Sequence, residues 1–136
     1  MISGGNATVI VSNMDVAVRF YTETLGLKLT NRFGDNWATV EAGPGLTIGL
    51  HPASARYPSP GTKGSMMLGL EINEPIDRVI SRLSAKGARF SGPVIRDMAG
   101  NFVHLEDPDG NGIYLWEVDI QAVPASELAN AGANRV

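Results

Sequence analysis

The segment NWATVEAGPGLTIGL, starting at Asn36, aligns without a gap on NFVHLEDPDGNGIYL, starting at Asn101. The offset is a constant 65 residues, so Trp37 meets Phe102, Val40 meets Leu105, Glu41 meets Glu106, Gly45 meets Gly110 and Ile48 meets Ile113. In a chain of 136 residues this duplication implies two copies of one supersecondary unit, each burying its apolar face with help from the other.

The elements around the repeat agree. Residues 7–11 read as a strand. Asn13 caps a helix over about 15–25, with Val16, Phe20 and Leu27 at helical spacing and Gly26 as its stop. Residues 28–33, 36–41 and 46–51 are short runs rich in β-branched and aromatic residues, divided by Gly34-Asp35 and by 42–45. Residues 52–64, PASARYPSPGTKG, hold three prolines and two glycines and read as a linker or lid. The pattern then restarts: a strand at 66–72, a helix opened by Pro75 and closed by Gly87 with Ile76, Val79, Ile80 and Leu83 on one face, and strands at 90–97, 102–106 and 113–118. The expected fold is α+β: two tandem βαβββ units, about 6–51 and 65–118, forming a curved mixed sheet around a central cavity with the helices on the outer face. They make one domain over 1–121. An alanine-rich tail, 122–136, is expected to be a short helix on a partner or disordered.

Composition narrows the function. At 43% hydrophobic and 18% charged residues, the chain reads as one soluble domain able to form its own core. The lack of cysteine excludes disulfides, thiolate metal sites and thiol nucleophiles. A net charge of -3, with basic residues spread from Arg19 to Arg96, gives no footprint for nucleic acid. No apolar run approaches the roughly 20 residues of a membrane helix, and the N-terminus lacks the order of a signal peptide, so no membrane partner and a cytoplasmic location are expected.

Strand parity divides the side chains into two faces. Ala7, Val9, Val11, Ile48, Leu50, Leu68, Leu70, Ile72, Val103, Leu105, Ile113 and Leu115 form the expected core under the helices. The opposite set holds Asn6, Thr8, Ile10, Trp37, Thr39, Thr47, Gly49, His51, Met67, Gly69, Glu71, Phe102, His104, Tyr114 and Trp116. Four large aromatics mixed with glycines, threonines, a carboxylate and both histidines suit a ligand pocket, with the glycines leaving room for the ligand; the same set suits an interface between subunits.

With NATVIVSNMDVAVRFYTETLGLKL at one end and EDPDGNGIYLWE at the other, the chain resembles the vicinal oxygen chelate superfamily, also called the glyoxalase, bleomycin-resistance and extradiol-dioxygenase superfamily. The resemblance spans about residues 7–118 and rests on FYTETLGL and DPDGN, which mark the fold rather than the chemistry. It implies paired βαβββ units, a homodimer, and in the family's enzymes a divalent metal held on the first and last strands of each unit. The matching positions here are Asn6, Gly49, Met67 and Tyr114, none of them a histidine or carboxylate, so no metal site is expected there. A relocated site would need His51, Glu71 and His104, the weak catalytic candidates; the alternatives are that His51 caps the lid and His104 is a pocket wall. DPDGN also resembles the start of a calcium loop, but Gly112, Ile113 and Tyr114 follow in place of oxygen ligands, and a tight turn explains it better.

The reading these observations favour is a metal-independent protein that sequesters an aromatic or apolar, antibiotic-like small molecule without a cofactor. Trp37, Phe102, Tyr114 and Trp116 would stack on the ligand; Asn6, Thr8, Thr39, His51, Glu71 and His104 would supply hydrogen bonds; Gly49 and Met67 would line the pocket; Arg56 and Tyr57 would belong to the lid. The alternative is a lyase, isomerase or dioxygenase using Fe, Mn, Ni or Zn on non-standard ligands, or a metal-free enzyme with His104 or Glu71 as base.

Overall fold

Alternating apolar residues, interrupted by turns, fold into two sheets of like topology in the computed structural model, which describes residues 1, 4–57, 59–62, 67–97 and 100–117. The first unit comprises β1 (Ala7–Val11), α1 (Met14–Arg19), β2 (Lys28–Phe33), β3 (Trp37–Glu41) and β4 (Thr47–Pro52). The second comprises β5 (Met67–Glu71), α2 (Ile76–Ala85), β6 (Arg89–Phe90), β7 (Ile95–Asp97), β8 (Gly100–Glu106) and β9 (Gly112–Glu117). The first sheet has the order β1-β4-β3-β2 and the second β5-β9-β8-β6, with β7 also paired to β8. In each, the unit's first strand lies parallel to its last, and the remaining pairs are antiparallel.

The duplication in sequence is thus a duplication in space. Ala7 pairs with Ile48, and Leu68 pairs with Ile113, so residues that match in the repeat hold equivalent neighbours. The expected curved mixed sheet consists of two separately hydrogen-bonded sheets among the described residues, each curved and neither closed.

Parity places the core correctly. Val9, Val11, Ile48, Leu50, Leu68, Leu70, Val103, Leu105, Ile113 and Leu115 are buried, with Ala7 and Ile72 packed at the margin. The α1 helix contributes Met14, Ala17 and Val18, and α2 contributes Ile76, Val79 and Leu83, at i, i+3, i+4 or i+7 spacing.

Two expectations need correction. The helix capped by Asn13, whose side chain accepts from the Val16 amide at 3.0 Å, continues past Arg19 as a π-helical turn, Phe20–Thr24, ended by Gly26 at φ 76°. Met14, Ala17, Val18 and Tyr21 form the buried face, Phe20 packs edge to face on Tyr21 at 5.2 Å, and Val16 is 42% exposed rather than in the core. The strand expected over 90–97 is split. Phe90 pairs with Leu105 but Ile95 pairs with Phe102, because Gly92-Pro93 interrupts the ladder where proline has no N–H to give. The tail at 122–136, and residues 58, 63 and 64 of the linker, lie outside the described residues.

Candidate functional site

The two sequence markers meet in space. Asp107, at the start of DPDGN, is buried, and four donors converge on its carboxylate: the Asp109 and Asn111 amides on Oδ1 at 2.9 and 2.8 Å, the Tyr21 hydroxyl and Asn111 Nδ2 on Oδ2 at 3.0 and 2.8 Å. Tyr21 belongs to FYTETLGL, so this contact joins the first unit's helix to the second unit's hairpin. With four donors on its two oxygens, the Asp107 carboxylate is committed to a tight turn, closed by Gly110 N on the Asp107 carbonyl at 3.0 Å. Burial pushes the Asp107 carboxyl up from its ordinary value, against the pull of the four donors. Its contribution to stability is therefore present in acid and falls as pH rises through the folded value. Burial and the Asp107 charge push the Tyr21 phenol far above its ordinary value, so it stays protonated until well beyond pH 10.

The same turn ties down the first unit and the loop that follows it. Asn111 Nδ2 donates to the Ile10 carbonyl at 3.1 Å, Asn111 Oδ1 accepts from the Gly61 amide at 2.9 Å, and Asp109 Oδ2 accepts from the Ser12 amide at 3.0 Å. Gly61 sits at φ +74°, and a Cβ there would overlap the Asp109 carbonyl oxygen. Both facts disfavour any side chain. Gly61→Ala is expected to destabilise the chain by roughly 2 kcal/mol, combining αL strain with a backbone clash; a melting temperature within error of the original protein would contradict this.

These bonds border a partly open cavity of about 380 Å³ between β1, the Trp37 end of β3, the end of β4, the start of β5 and the loop after β4. Its walls are Thr8, Val9, Ile10, Trp37, His51, Tyr57, Ser59, Thr62, Leu68, Asn111 and Gly112. The His51 ring stands edge-on to Tyr57 at 4.8 Å and to Trp37 at 6.2 Å, and its Nδ1 lies 2.7 Å from the Pro52 carbonyl oxygen. Among the described residues, no Asp, Glu, Lys or Arg side chain lines this cavity.

Of the residues expected at a pocket, the structure brings Thr8, Ile10, Trp37, His51 and Tyr57 together there. The others lie elsewhere. Phe102, His104, Tyr114 and Trp116 share the open face of the second sheet, where Phe102 and Trp116 stack at 6.1 Å with planes 4° apart and His104 lies 6.0 Å from Tyr114. Glu71 borders a separate, broader cleft of about 960 Å³ with Glu74, Arg82 and Lys86. Met67 is 51% exposed, Asn6 is exposed and accepts from Thr8 Oγ1 at 2.8 Å, and the buried Thr39 hydroxyl is engaged by Thr30 Oγ1 at 2.7 Å. Arg56 is exposed and does not reach the cavity wall.

The glycines do not leave room for a ligand. A Cβ at Gly49 would overlap the six-membered ring of Trp37, and one at Gly69 would overlap the Tyr114 phenol. Each glycine is the seat of a neighbouring aromatic ring. Sequence reading also missed Ser59, Thr62, Leu68, Asn111 and Gly112. Asn111 was visible as part of DPDGN but was read as a turn residue, and nothing in the linker's composition marks Ser59 or Thr62.

The chain's family follows from direct comparison. The model of the Glyoxalase/Bleomycin resistance protein/Dioxygenase superfamily matches residues 5–115. The chain belongs to this superfamily. Among solved structures, TnmS3, an antibiotic binding protein from Streptomyces sp. CB03234, is 28% identical, with 88% of this chain and 100% of that one covered and a TM-score of 0.70. A glyoxalase/bleomycin resistance protein from the same Streptomyces is 30% identical over 82% of this chain and 99% of its own, with a TM-score of 0.63. A lactoylglutathione lyase from Agrobacterium tumefaciens, at 17% identity, 85% and 92% coverage and a TM-score of 0.66, shares the fold. Comparison with curated proteins gives no match.

Superfamily members are often metal-dependent, and the residues present here do not fit a divalent ion. Among the described residues no three His, Asp or Glu side chains converge. His51 belongs to the first sheet; Glu71 and His104 belong to the second, on strands separated by β9 and so roughly 10 Å apart. At the positions matching the superfamily's ligands, Gly49 and Tyr114 are taken up by packing, since Gly49 lies under Trp37 and Tyr114 covers Gly69. No helix among the described residues is long and apolar enough to cross a membrane.

Proposed function

We propose that the chain is a metal-independent binding protein that sequesters a neutral, planar aromatic small molecule of antibiotic-like character. The observation that carries this reading is the cavity wall: three aromatic rings, a few hydroxyl and amide groups and, among the described residues, no Asp, Glu, Lys or Arg, in about 380 Å³. That volume lies in the lower part of the range for small-molecule sites. Aromatic faces bind flat ligands without a metal. The reported antibiotic binding of the TnmS3 relative supports the same class of partner. A wall whose described residues include no Asp, Glu, Lys or Arg disfavours polycations and phosphorylated substrates.

The test is a thermal-shift screen of planar aromatic compounds against EDTA-treated protein, with each compound recovered afterwards and checked for change. Stabilisation of about 2.7 kcal/mol is expected once a ligand reaches 100 times its Kd, with the ligand recovered intact. Fe²⁺, Mn²⁺, Ni²⁺ or Zn²⁺ added alone is expected to leave the melting temperature unchanged. Stabilisation by stoichiometric metal, or conversion of the ligand, would replace this reading with an enzymatic one.

A further inference from the structure

Three polar groups of the cavity wall, on His51, Thr8 and Asn111, are polarised in one sense. His51 Nδ1 lies 2.7 Å from the Pro52 carbonyl oxygen. A carbonyl only accepts, so Nδ1 carries the proton, and in the neutral imidazole Nε2 is left as an acceptor. No group among the described residues bonds Nε2, and no buried side-chain nitrogen or oxygen lacks a partner, so this nitrogen is accessible on a residue of the cavity wall. The Tyr57 and Trp37 rings flank the imidazole, and the bond to Pro52 fixes its orientation.

Two neighbours follow the same rule. Thr8 Oγ1 gives its proton to Asn6 Oδ1 at 2.8 Å, leaving oxygen lone pairs. Both amide protons of Asn111 are used, on the Ile10 carbonyl and on Asp107, while its Oδ1 takes one bond from Gly61 and has capacity for another. At all three groups the protein uses the donors and leaves acceptors.

We infer that the cavity selects planar aromatic ligands that carry a hydrogen-bond donor, a phenolic hydroxyl or N–H, with His51 Nε2 as its principal acceptor. This rests on the binding function proposed above and specifies which aromatic ligands it serves. A ligand whose hydroxyl is alkylated cannot satisfy these acceptors, which then lose water without replacement.

The experiment is a fluorescence titration of pyrene, 1-hydroxypyrene and 1-methoxypyrene into the wild-type chain and into His51→Phe, which keeps a flat ring and removes the acceptor. Wild-type protein is expected to bind 1-hydroxypyrene five- to tenfold more tightly than pyrene or 1-methoxypyrene, and His51→Phe to bind all three within twofold. Equal binding of the three by wild-type protein overturns the inference and leaves the binding function standing; so does a hydroxyl preference that survives in His51→Phe. Binding of none of the three overturns both. The wild-type comparison decides the donor requirement even if the variant fails to fold.

Discussion

Asp107→Ala is expected to lower the melting temperature by roughly 10–15 °C. The substitution removes the acceptor shared by the Tyr21 hydroxyl, Asn111 Nδ2 and two turn amides, in a site where Asp107 itself is 1% exposed. A buried donor left unsatisfied costs about 1–3 kcal/mol, and the turn amides lose less because they can reach water. A total of about 3 kcal/mol, at roughly 3–5 °C per kcal/mol for a chain of this size, gives the stated shift. Tyr21→Phe, which removes one of the four donors and leaves the others, is expected to cost about 1 kcal/mol. The two effects are expected to be non-additive, since they share one hydrogen bond. Thermal unfolding followed by circular dichroism reads both. A shift of only a few degrees in Asp107→Ala would show that the turn is held by its backbone alone.

Trp37→Ala is expected to weaken binding of a planar aromatic by roughly 10- to 100-fold, the effect of losing a central aromatic anchor. The same position can be approached from below. Gly49→Ala puts a methyl group where the Trp37 ring now rests, and the ring, as the free end of a side chain, must shift from its seat. The expected outcome is a loss of ligand affinity no larger than that of Trp37→Ala, together with the roughly 1–3 kcal/mol of stability that such overpacking costs. Trp116→Ala removes a ring of similar size from the second sheet, stacked on Phe102 away from the cavity, and is expected to change affinity less than twofold. Equal effects at Trp37 and Trp116 would mean that the ligand spans both sheets.

Much of the fold was legible because the signals behind it are local and periodic. Alternation separates the buried from the open side in β1, β5, β8 and β9, from Val9 to Leu115, and the repeat at Asn36 and Asn101 carried the topology of one unit over to the other. The π-helical turn at Phe20 was not legible, since helical spacing groups Val16 with Phe20, whereas Val16 is exposed and Phe20 is buried. The break at Gly92-Pro93 was legible in principle, because a glycine-proline pair is poor strand material.

The site was only half legible, for a physical reason. Parity states which face a side chain takes but not which part of that face is enclosed. Phe102, His104, Tyr114 and Trp116 do take the face expected of them. The enclosure at Trp37 and His51 comes from the loop carrying Tyr57, Ser59 and Thr62, and that loop is set in place by Asn111, 50 residues from Gly61 in sequence. Such a contact leaves no periodic trace. The glycines misled for a related reason: Gly49 and Gly69 mark close approach, and only the structure shows that the approaching group is an aromatic ring of the protein itself.

The most direct test of the account is a two-dimensional NMR titration of 1-hydroxypyrene into EDTA-treated, isotopically labelled protein. The account predicts saturable shifts at the amides of Thr8, His51 and Asn111 and at the Trp37 indole, with Phe102 and Trp116 little affected and with no change on adding Zn²⁺ or Fe²⁺. Shifts centred on Phe102 and Trp116, or binding that begins only when a metal is restored, would contradict it.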